Sequence, residues 1–202
     1  MMIPLEALIA IFIISFVTNA TPFFGGPYTL ISTTILLKYG VNPISLILVI
    51  LVSGLGASTS KLVMYALGLV MRKPLKNNKN ILFLHKISNH VGFYLGTFIL
   101  SILPIIPFDD YVFLAVGIAK INLAKLFLIS IAGKIIKSAI EINIELAGIG
   151  LISSLLDINA LEISIISSIV FVILGIIMFK MDWEEILNKG KNFLRDKLKI
   201  NI

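Results

Sequence analysis

Seven charged residues lie inside long apolar stretches of this chain, where an ionised side chain is unfavourable. On insertion scales such a residue costs roughly 2.5–3.5 kcal/mol at the centre of a membrane helix, so its presence indicates a function. Carboxylate and ammonium groups in apolar surroundings are suited to binding a proton or an ionic substrate. The seven candidates for substrate or proton binding are Lys61, Asp109, Asp110, Lys134, Lys137, Glu141 and Glu145.

Asp109 and Asp110 directly follow segment 103–108, which contains two prolines. One aspartate can cap the helix that begins there, because its oxygen accepts hydrogen bonds from the free N–H groups of the first turn. Two adjacent carboxylates exceed what a cap needs. Burial disfavours the charged form of a carboxylate, so the other interpretation is that one of the pair takes up a proton during transport.

Four of the candidates, spaced by three, four and four residues, lie on one face of a helix: Lys134, Lys137, Glu141 and Glu145. In one interpretation the lysines extend toward the cytoplasm and the glutamates neutralise them. In the other, the stripe faces the protein interior and the lysines bind a phosphate as point charges. We favour the second, because the stripe runs toward the middle of the apolar block.

Lys61 follows a run of small residues, Gly54–Ser60, which allows helices to approach closely. Its ammonium group either pairs with a carboxylate across this packing face or contacts a substrate headgroup. Both interpretations remain open at the level of sequence.

The composition predicts an all-α integral membrane protein with a single membrane domain over residues 1–181. Hydrophobic residues make up 58% of the 202 residues and charged residues 14%, whereas soluble domains have about 45–50% and about 25%. The mean hydropathy is +1.03. Most of the chain is therefore expected to face lipid or protein rather than water.

Several functional classes are not expected. The basic residues form short runs between apolar blocks, as in cytoplasmic loops, so nucleic acid is not an expected partner. The chain has no cysteine, and His85 and His90 are five residues apart without a third ligand, so no metal site is expected. No nucleophile motif or nucleotide-binding loop is present. We therefore expect neither enzymatic activity nor a cofactor.

Three apolar blocks are long enough to cross a bilayer, which takes about 20 residues. These predicted spanning helices are 44–71, 123–156 and 163–181. Residues 182–202 form a predicted tail, either an amphipathic helix on the cytoplasmic surface or a solvated segment.

Two further blocks, 5–38 and 91–120, are interrupted by helix-breaking residues. Proline lacks a backbone donor and clashes with the preceding turn, so each block divides into two arms of about 10–15 residues, too short to cross. We predict two re-entrant hairpins, whose irregular tips must be buried in protein or line a cavity. The residues at the breaks are Pro22, Gly26, Pro27, Pro104 and Pro107.

The distribution of basic residues predicts the topology. Loop 72–90 and the tail 182–202 are basic and are placed in the cytoplasm, whereas 157–162 has no basic residue and is placed outside. The second hairpin must then return to the cytoplasm, and the first opens outward with the N-terminus outside. Such an inverted pair indicates a central transport site. The expected location is the plasma membrane.

The motifs of the chain resemble the DedA family and its wider VTT (SNARE-associated Golgi protein) superfamily. The resemblance lies in N-A-T-P-F-F-G-G-P (Asn19–Pro27), the glycine-rich run Gly54–Gly68, and Y-L-G-T-F-I-L-S-I-L-P-I-I-P-F-D-D-Y-V-F-L-A-V-G (Tyr94–Gly117). It implies two re-entrant hairpins with spanning helices, and lipid translocation. The chain departs from the family pattern in lacking the hairpin carboxylate after Pro-Gly, and in having Ser101 at the place of an arginine.

The resulting functional prediction is a transporter or scramblase that translocates an anionic lipid, such as a polyprenyl phosphate or a phospholipid, with proton coupling as an option. The alternatives are a proton-coupled exporter of small molecules and a non-transporting membrane assembly factor. The expected partners are phosphate-bearing membrane lipids, with a proton or cation and a second copy of the chain as further candidates.

Overall fold

The computed structural model describes residues 2–20, 27–77, 81–82, 87–88, 90–103 and 108–156, together with positions 159, 162, 166, 169, 170 and 173. This part of the chain is helical and contains no strand, which confirms the all-α prediction. The helices are α1 (Leu5–Ala20), α2 (Tyr28–Tyr39), α3 (Pro43–Thr59), α4 (Lys61–Val70), α5 (Arg72–Leu75), α6 (Val91–Ile102), α7 (Phe108–Ala119) and α8 (Leu123–Leu156).

Several predicted features lie outside the described residues. They include four of the five residues at the hairpin breaks (Pro22, Gly26, Pro104 and Pro107), His85, the tail 182–202 and most of the segment 163–181. Among the described helices, one continuous stretch, Pro43–Val70, is long and apolar enough to cross a membrane. The helices α1 and α6 are apolar but shorter. Of the three predicted spanning helices, the first thus has the required length and composition.

The two halves of the chain repeat the same helical unit at a distance of 80 residues. The helices α2 and α7 both have 12 residues, and their bounds, like the starts of α3 and α8, differ by 80. A residue with positive φ follows α2 and α7, Gly40 at +93° and Lys120 at +59°. An asparagine then begins the long helix: Asn42 Oδ1 accepts from Ser45 N at 2.9 Å, and Asn122 Oδ1 accepts from Ala124 N at 2.9 Å.

The long helices α3 and α8 run in opposite directions where they pack together. A Cβ atom added at Gly54 would lie 2.8 Å from the Cα atom of Ile135, so glycine allows the two backbones to approach. Earlier on α3 and later on α8, Val49 and Ile142 share one buried apolar cluster. Lower residue numbers in α3 thus contact higher residue numbers in α8, so the two helices are antiparallel.

The first short helix of each half packs on the long helix of its own half. On α3, a Cβ atom at Gly56 would lie 2.9 Å from the Cβ atom of Ser15 in α1. On α8, a Cβ atom at Gly133 would lie 2.6 Å from the Cβ atom of Ser101 in α6. Each contact pairs a glycine with a buried serine, which keeps the helices close.

The second short helix of each half packs on the other half. The helix α2 lies against α8, and α7 lies against α4. Gly68 of α4 and Gly117 of α7 face each other, and a Cβ atom at Gly117 would lie 3.0 Å from the Cα atom of Gly68. The second short helix of each half thus packs on the other half, and the long helices of the two halves are antiparallel. The two halves are therefore related by a rotation that reverses their direction.

We predict that Gly117→Ala destabilises the protein although alanine is the better helix former. Its methyl group would meet the backbone of α4 at Tyr65 and Gly68, and overpacking of this kind typically costs about 1–3 kcal/mol. The measurement is thermal unfolding in detergent. Gly148→Ala is the matched control, because a Cβ atom at Gly148 meets no described residue within 4 Å. Equal stability of both variants would contradict the close contact of α4 and α7.

Candidate functional site

Four of the predicted site residues form one buried group, here called the ion cluster. Lys61 of α4, Asp109 and Asp110 of α7, and Lys134 of α8 are each 1–2% exposed. Asp109 Oδ2 lies 3.2 Å from Lys61 Nζ and 2.7 Å from Lys134 Nζ, and Lys61 also pairs with Asp110 Oδ1. The ion cluster therefore joins three helices that are distant in sequence.

The local structure of each helix places these side chains. Lys61 begins α4 after three hydroxyl side chains that bond to carbonyls of the preceding turn: Ser58 to Gly54 O (2.9 Å), Thr59 to Leu55 O (2.7 Å) and Ser60 to Ala57 O (2.6 Å). Such bonds bend helices, and the boundary between α3 and α4 lies here. Asp109 and Asp110 occupy the first turn of α7, where the helix dipole favours negative charge.

The charges of the ion cluster balance, with two ammonium groups facing two carboxylates. Of the interpretations left open for Lys61, the structure realises pairing with carboxylates, and the partners are the two aspartates rather than the glutamates. Both aspartates are ion-paired, so neither is a carboxylate left without a cation. Removing one partner of a buried pair costs about 3–5 kcal/mol, because an uncompensated charge remains.

A second polar group, here called the hydroxyl–carboxylate cluster, lies between α2 and α8. Thr29 Oγ1 lies 3.1 Å from Glu141 Oε2 and 2.8 Å from Glu145 Oε1, and Thr33 donates to Glu145 Oε2 at 2.6 Å. Both threonines are buried and both glutamates are partly buried. The predicted pair of Lys137 and Glu141 has an N–O distance of 3.8 Å.

The charges of the hydroxyl–carboxylate cluster do not balance. Within the described residues, Glu141 has Lys137 as its ion-pair partner, and Glu145 has no ion pair. Because their oxygens flank one hydroxyl, they lie within about 6 Å of each other, and two ionised carboxylates there would repel by roughly 3 kcal/mol at an effective dielectric constant of about 20.

The two clusters lie along the same side of α8, and two neutral polar side chains lie between them in sequence on α8 and at the start of α2. Tyr28, which is 3% exposed, has its Oη atom 3.3 Å from the Oγ atom of Ser138. Ser138 is one turn after Lys134 and three residues before Glu141. One turn before Lys134, the buried Ser130 hydroxyl has no hydrogen-bond partner among the described residues. Polar side chains thus recur along α8 at about one-turn intervals from Ser130 to Glu145.

The internal repeat relates one cluster to the other. Thr29 and Asp109 differ by 80 in number, and so do Lys61 and Glu141. The second residue of α2 meets Glu141 on α8, and the second residue of α7 meets Lys61 on α4. The two contacts are equivalent in position but differ in chemistry, since Lys61 of α4 supplies an ammonium group in one and Glu141 of α8 supplies a carboxylate in the other.

Sequence reasoning missed four neutral members of the site, Tyr28, Thr29, Thr33 and Ser138. The available signal was that two threonines and two glutamates have the same i, i+4 spacing in separate apolar blocks. A second signal was the repeat of 80 residues. Thr29 corresponds to Asp109, and Glu141, the partner of Thr29, corresponds to Lys61, the partner of Asp109.

The remaining predicted residues take no part in either cluster. Pro27 precedes α2, and its carbonyl accepts from Ile31 N at 3.1 Å. His90 is exposed at the start of α6. No group of His, Cys, Asp and Glu in the described part of the chain is suited to holding a metal ion.

Comparison with known proteins leaves the family of this chain open. No protein-family model, no curated protein and no solved structure matches it. The resemblance to the DedA family therefore stays a prediction, and the two clusters are the features from which a function can be inferred.

We predict that Lys61→Met destabilises the protein strongly and that Lys61→Met with Asp110→Leu recovers most of the loss. The single variant leaves a surplus carboxylate in the interior, at a cost of about 3–5 kcal/mol, whereas the double variant keeps the Lys134–Asp109 pair and balanced charge. Thermal unfolding of the wild type, both single variants and the double variant measures the coupling. Additive losses would show that the pair does not act as a unit.

Proposed function

We propose that this protein is a membrane transporter or scramblase that moves an anionic, phosphate-bearing lipid between the two leaflets of a bilayer. The observation that carries the proposal is the ion cluster, in which two lysines and two aspartates are enclosed where the two antiparallel halves meet. Ionised groups within an apolar helical bundle mark substrate or ion pathways.

The outer surface of the bundle supports a lipid environment. Along α1, apolar side chains at four-residue spacing are 51–71% exposed: Leu5, Ile9, Ile13 and Val17. Large apolar side chains are exposed along α8 as well: Leu128, Ile136, Ile140, Ile144 and Leu151. Contiguous apolar surface of this kind is unfavourable in water and is expected of helices that face acyl chains.

The antiparallel repeat supports the predicted topology of two hairpins that enter from opposite faces. In transporters with inverted repeats, the substrate site lies near the middle of the membrane at the interface between the repeats. The ion cluster likewise lies between the two halves of the chain, because α4 of the first half and α7 of the second half both contribute to it. The basic loop after α4 supports a cytoplasmic location of that end in the proposed topology.

The geometry of Asp109 supports a phosphate as the substrate group. Its Oδ2 atom lies between two ammonium groups, at 3.2 Å from Lys61 and 2.7 Å from Lys134, where an oxygen of a phosphate would also fit. In this mechanism the phosphate replaces the carboxylate between the lysines, so the lysines stay neutralised throughout. Lysine suits this exchange because it binds phosphate as a mobile point charge.

Proton-coupled export of a small molecule is the second candidate, and the unbalanced hydroxyl–carboxylate cluster favours it. The lipid proposal is preferred because the ion cluster places two lysines at one position, and this arrangement suits a doubly charged phosphate better than a neutral solute.

We predict that the purified protein in proteoliposomes flips a phosphate-bearing lipid faster than a neutral one. Lys134→Gln removes a charged contact and should slow this flip roughly ten- to hundredfold, since hydrogen bonds to charged groups contribute about 1.5–3 kcal/mol. Lys134→Arg, which retains the charge, should keep part of the activity. The matched control is Lys125→Gln, an exposed lysine on the same helix, which should flip at the wild-type rate.

Other outcomes of the flip experiment separate the alternatives. Equal flip of charged and neutral lipids would contradict selection by the lysines and indicate nonselective scrambling. Uptake of a soluble substrate without lipid flip would favour the exporter. If neither activity occurs, the chain is better described as a membrane assembly factor.

We predict that the two ends of the α3–α4 stretch face opposite sides of the membrane. The chain has no cysteine, so single cysteines can be introduced without background. A membrane-impermeant maleimide applied to intact cells should label Val41→Cys, at an exposed position before α3, but label Lys76→Cys only after lysis. Labelling of both positions in intact cells would contradict the topology.

A further inference from the structure

The contacts of Thr29 require more hydrogens than the threonine supplies. Its hydroxyl group lies within hydrogen-bond distance of Glu141 and of Glu145, but carries a single hydrogen. The Thr33 hydroxyl directs its own hydrogen to the other oxygen of Glu145. Both Thr29 contacts become full hydrogen bonds when one carboxyl group carries a proton and donates it to the Thr29 oxygen.

The neighbouring elements do not supply the missing positive charge. Helix α2 contributes Tyr28 and the two threonines, and its one charged residue, Lys38, is exposed in the last turn with its Nζ atom 5.7 Å from the centroid of the Tyr39 ring. Neither α3 nor α6, which also pack on α8, contains a charged residue. On α8 itself Lys137 pairs with Glu141. Lys61 and Lys134 are engaged by the aspartates. Within the described residues, two carboxyl groups therefore share one nearby cation.

The internal repeat gives independent support. At the equivalent contact, between α7 and α4, a carboxylate of Asp109 meets the ammonium group of Lys61 and the contact is neutral. At the contact between α2 and α8, α8 carries Glu141 and α2 carries the uncharged Thr29. A proton on one glutamate restores neutrality at this contact, as the salt bridge does at the other.

We propose that Glu141 and Glu145 form a proton-binding site that holds one shared proton, with Thr29 as the hydroxyl bridge between them. When Glu145 is protonated, its O–H donates to Thr29 Oγ1, and Thr29 donates to Glu141 Oε2. Transfer breaks the Glu145 O–H bond and the original Thr29 O–H bond, and forms a new Thr29 O–H bond and a Glu141 O–H bond. The proton thereby moves toward the ion cluster without any change in net charge.

Both glutamates were among the seven candidates for substrate or proton binding, but the specific hypothesis of proton uptake was made for one of the two aspartates. Both aspartates are ion-paired with lysines, whereas Glu145 has no ion pair in the described part of the chain. A role of the site in coupling proton movement to transport rests on the proposed function, but the existence of the site does not.

The test is modification of the purified, liposome-reconstituted protein by dicyclohexylcarbodiimide, followed by mass spectrometry of peptides. A protonated carboxyl group adds across a C=N bond of the reagent, its proton passes to nitrogen, and an acyl shift gives a stable N-acylurea. We expect about one label per chain, on Glu145 or Glu141, with labelling that decreases as the pH rises. Exposed Glu6 is the internal control and should remain unlabelled at neutral pH.

Two variants make the test specific. Glu145→Gln should reduce total labelling at least tenfold, because Glu141 is then the one carboxyl group of the cluster and has Lys137 as its ion-pair partner. Glu141→Gln should retain the label on Glu145. Labelling of both glutamates in one chain, of neither, or of Asp109 or Asp110 instead would overturn the shared proton.

A second measurement does not depend on reagent access or on transport. Infrared spectra of the wild type should contain a protonated-carboxyl band that shifts in deuterated water and is lost in Glu145→Gln. Persistence of the band in that variant would overturn the assignment.

A separate measurement tests coupling of the proton site to transport. Lipid flip should depend on pH in the wild type and lose this dependence in Glu145→Gln, so pH-independent flip would refute coupling alone. Absence of flip would refute the proposed function, while the labelling still decides the proton site.

Discussion

The ion cluster is the constraint on which the arrangement of the helices depends. Asp109 contacts two lysines from separate helices, so α4, α7 and α8 cannot move apart independently without exposing a buried charge to an apolar interior. The surrounding contacts are made by glycines, at Gly68 against Gly117 and at Gly133 against Ser101, which bring the backbones close enough for the side chains to meet. Small residues thus support the ion pairs of the charged residues, because close packing of the helices removes the water that would otherwise weaken those pairs.

Much of the helical framework could be predicted from the sequence, because proline acts locally. The prolines and the apolar blocks indicated where α1, α2, α6 and α7 lie, since a proline interrupts a helix whatever its surroundings. The pairing of Lys61 with the aspartates rather than with Glu141 or Glu145 could not be predicted. It follows from the way α7 packs on α4, and spacing along one helix contains no information on which face of another helix it meets. The repeat of 80 residues would have indicated the pairing. It makes Lys61 and Glu141 equivalent positions, so each is expected to contact the second short helix of the opposite half rather than the other.

The role of the neutral residues was hidden for a related reason. Thr29 and Thr33 are ordinary residues of an apolar helix until Glu141 and Glu145 are placed beside them. A hydroxyl group in an apolar helix usually bonds to a carbonyl of its own preceding turn, as Thr34 does to Leu30. The hydroxyl groups of Thr29 and Thr33 instead reach across to α8. That difference is decided by tertiary packing, and no local pattern distinguishes the three threonines.

The two contacts between a second short helix and the opposite half share a backbone arrangement but satisfy their buried charges in different ways. Between α7 and α4, a lysine neutralises the aspartates directly. Between α2 and α8, two glutamates share one nearby lysine within the described residues, and we propose that a bound proton supplies the balance. In the proposed transporter, one contact would hold the substrate charge and the other would have a charge that varies with pH, whereas a strictly symmetric repeat would supply two copies of the same contact. The difference between Lys61 and Glu141, at equivalent positions of the repeat, is the basis for proposing that substrate binding and proton binding are divided between the two contacts.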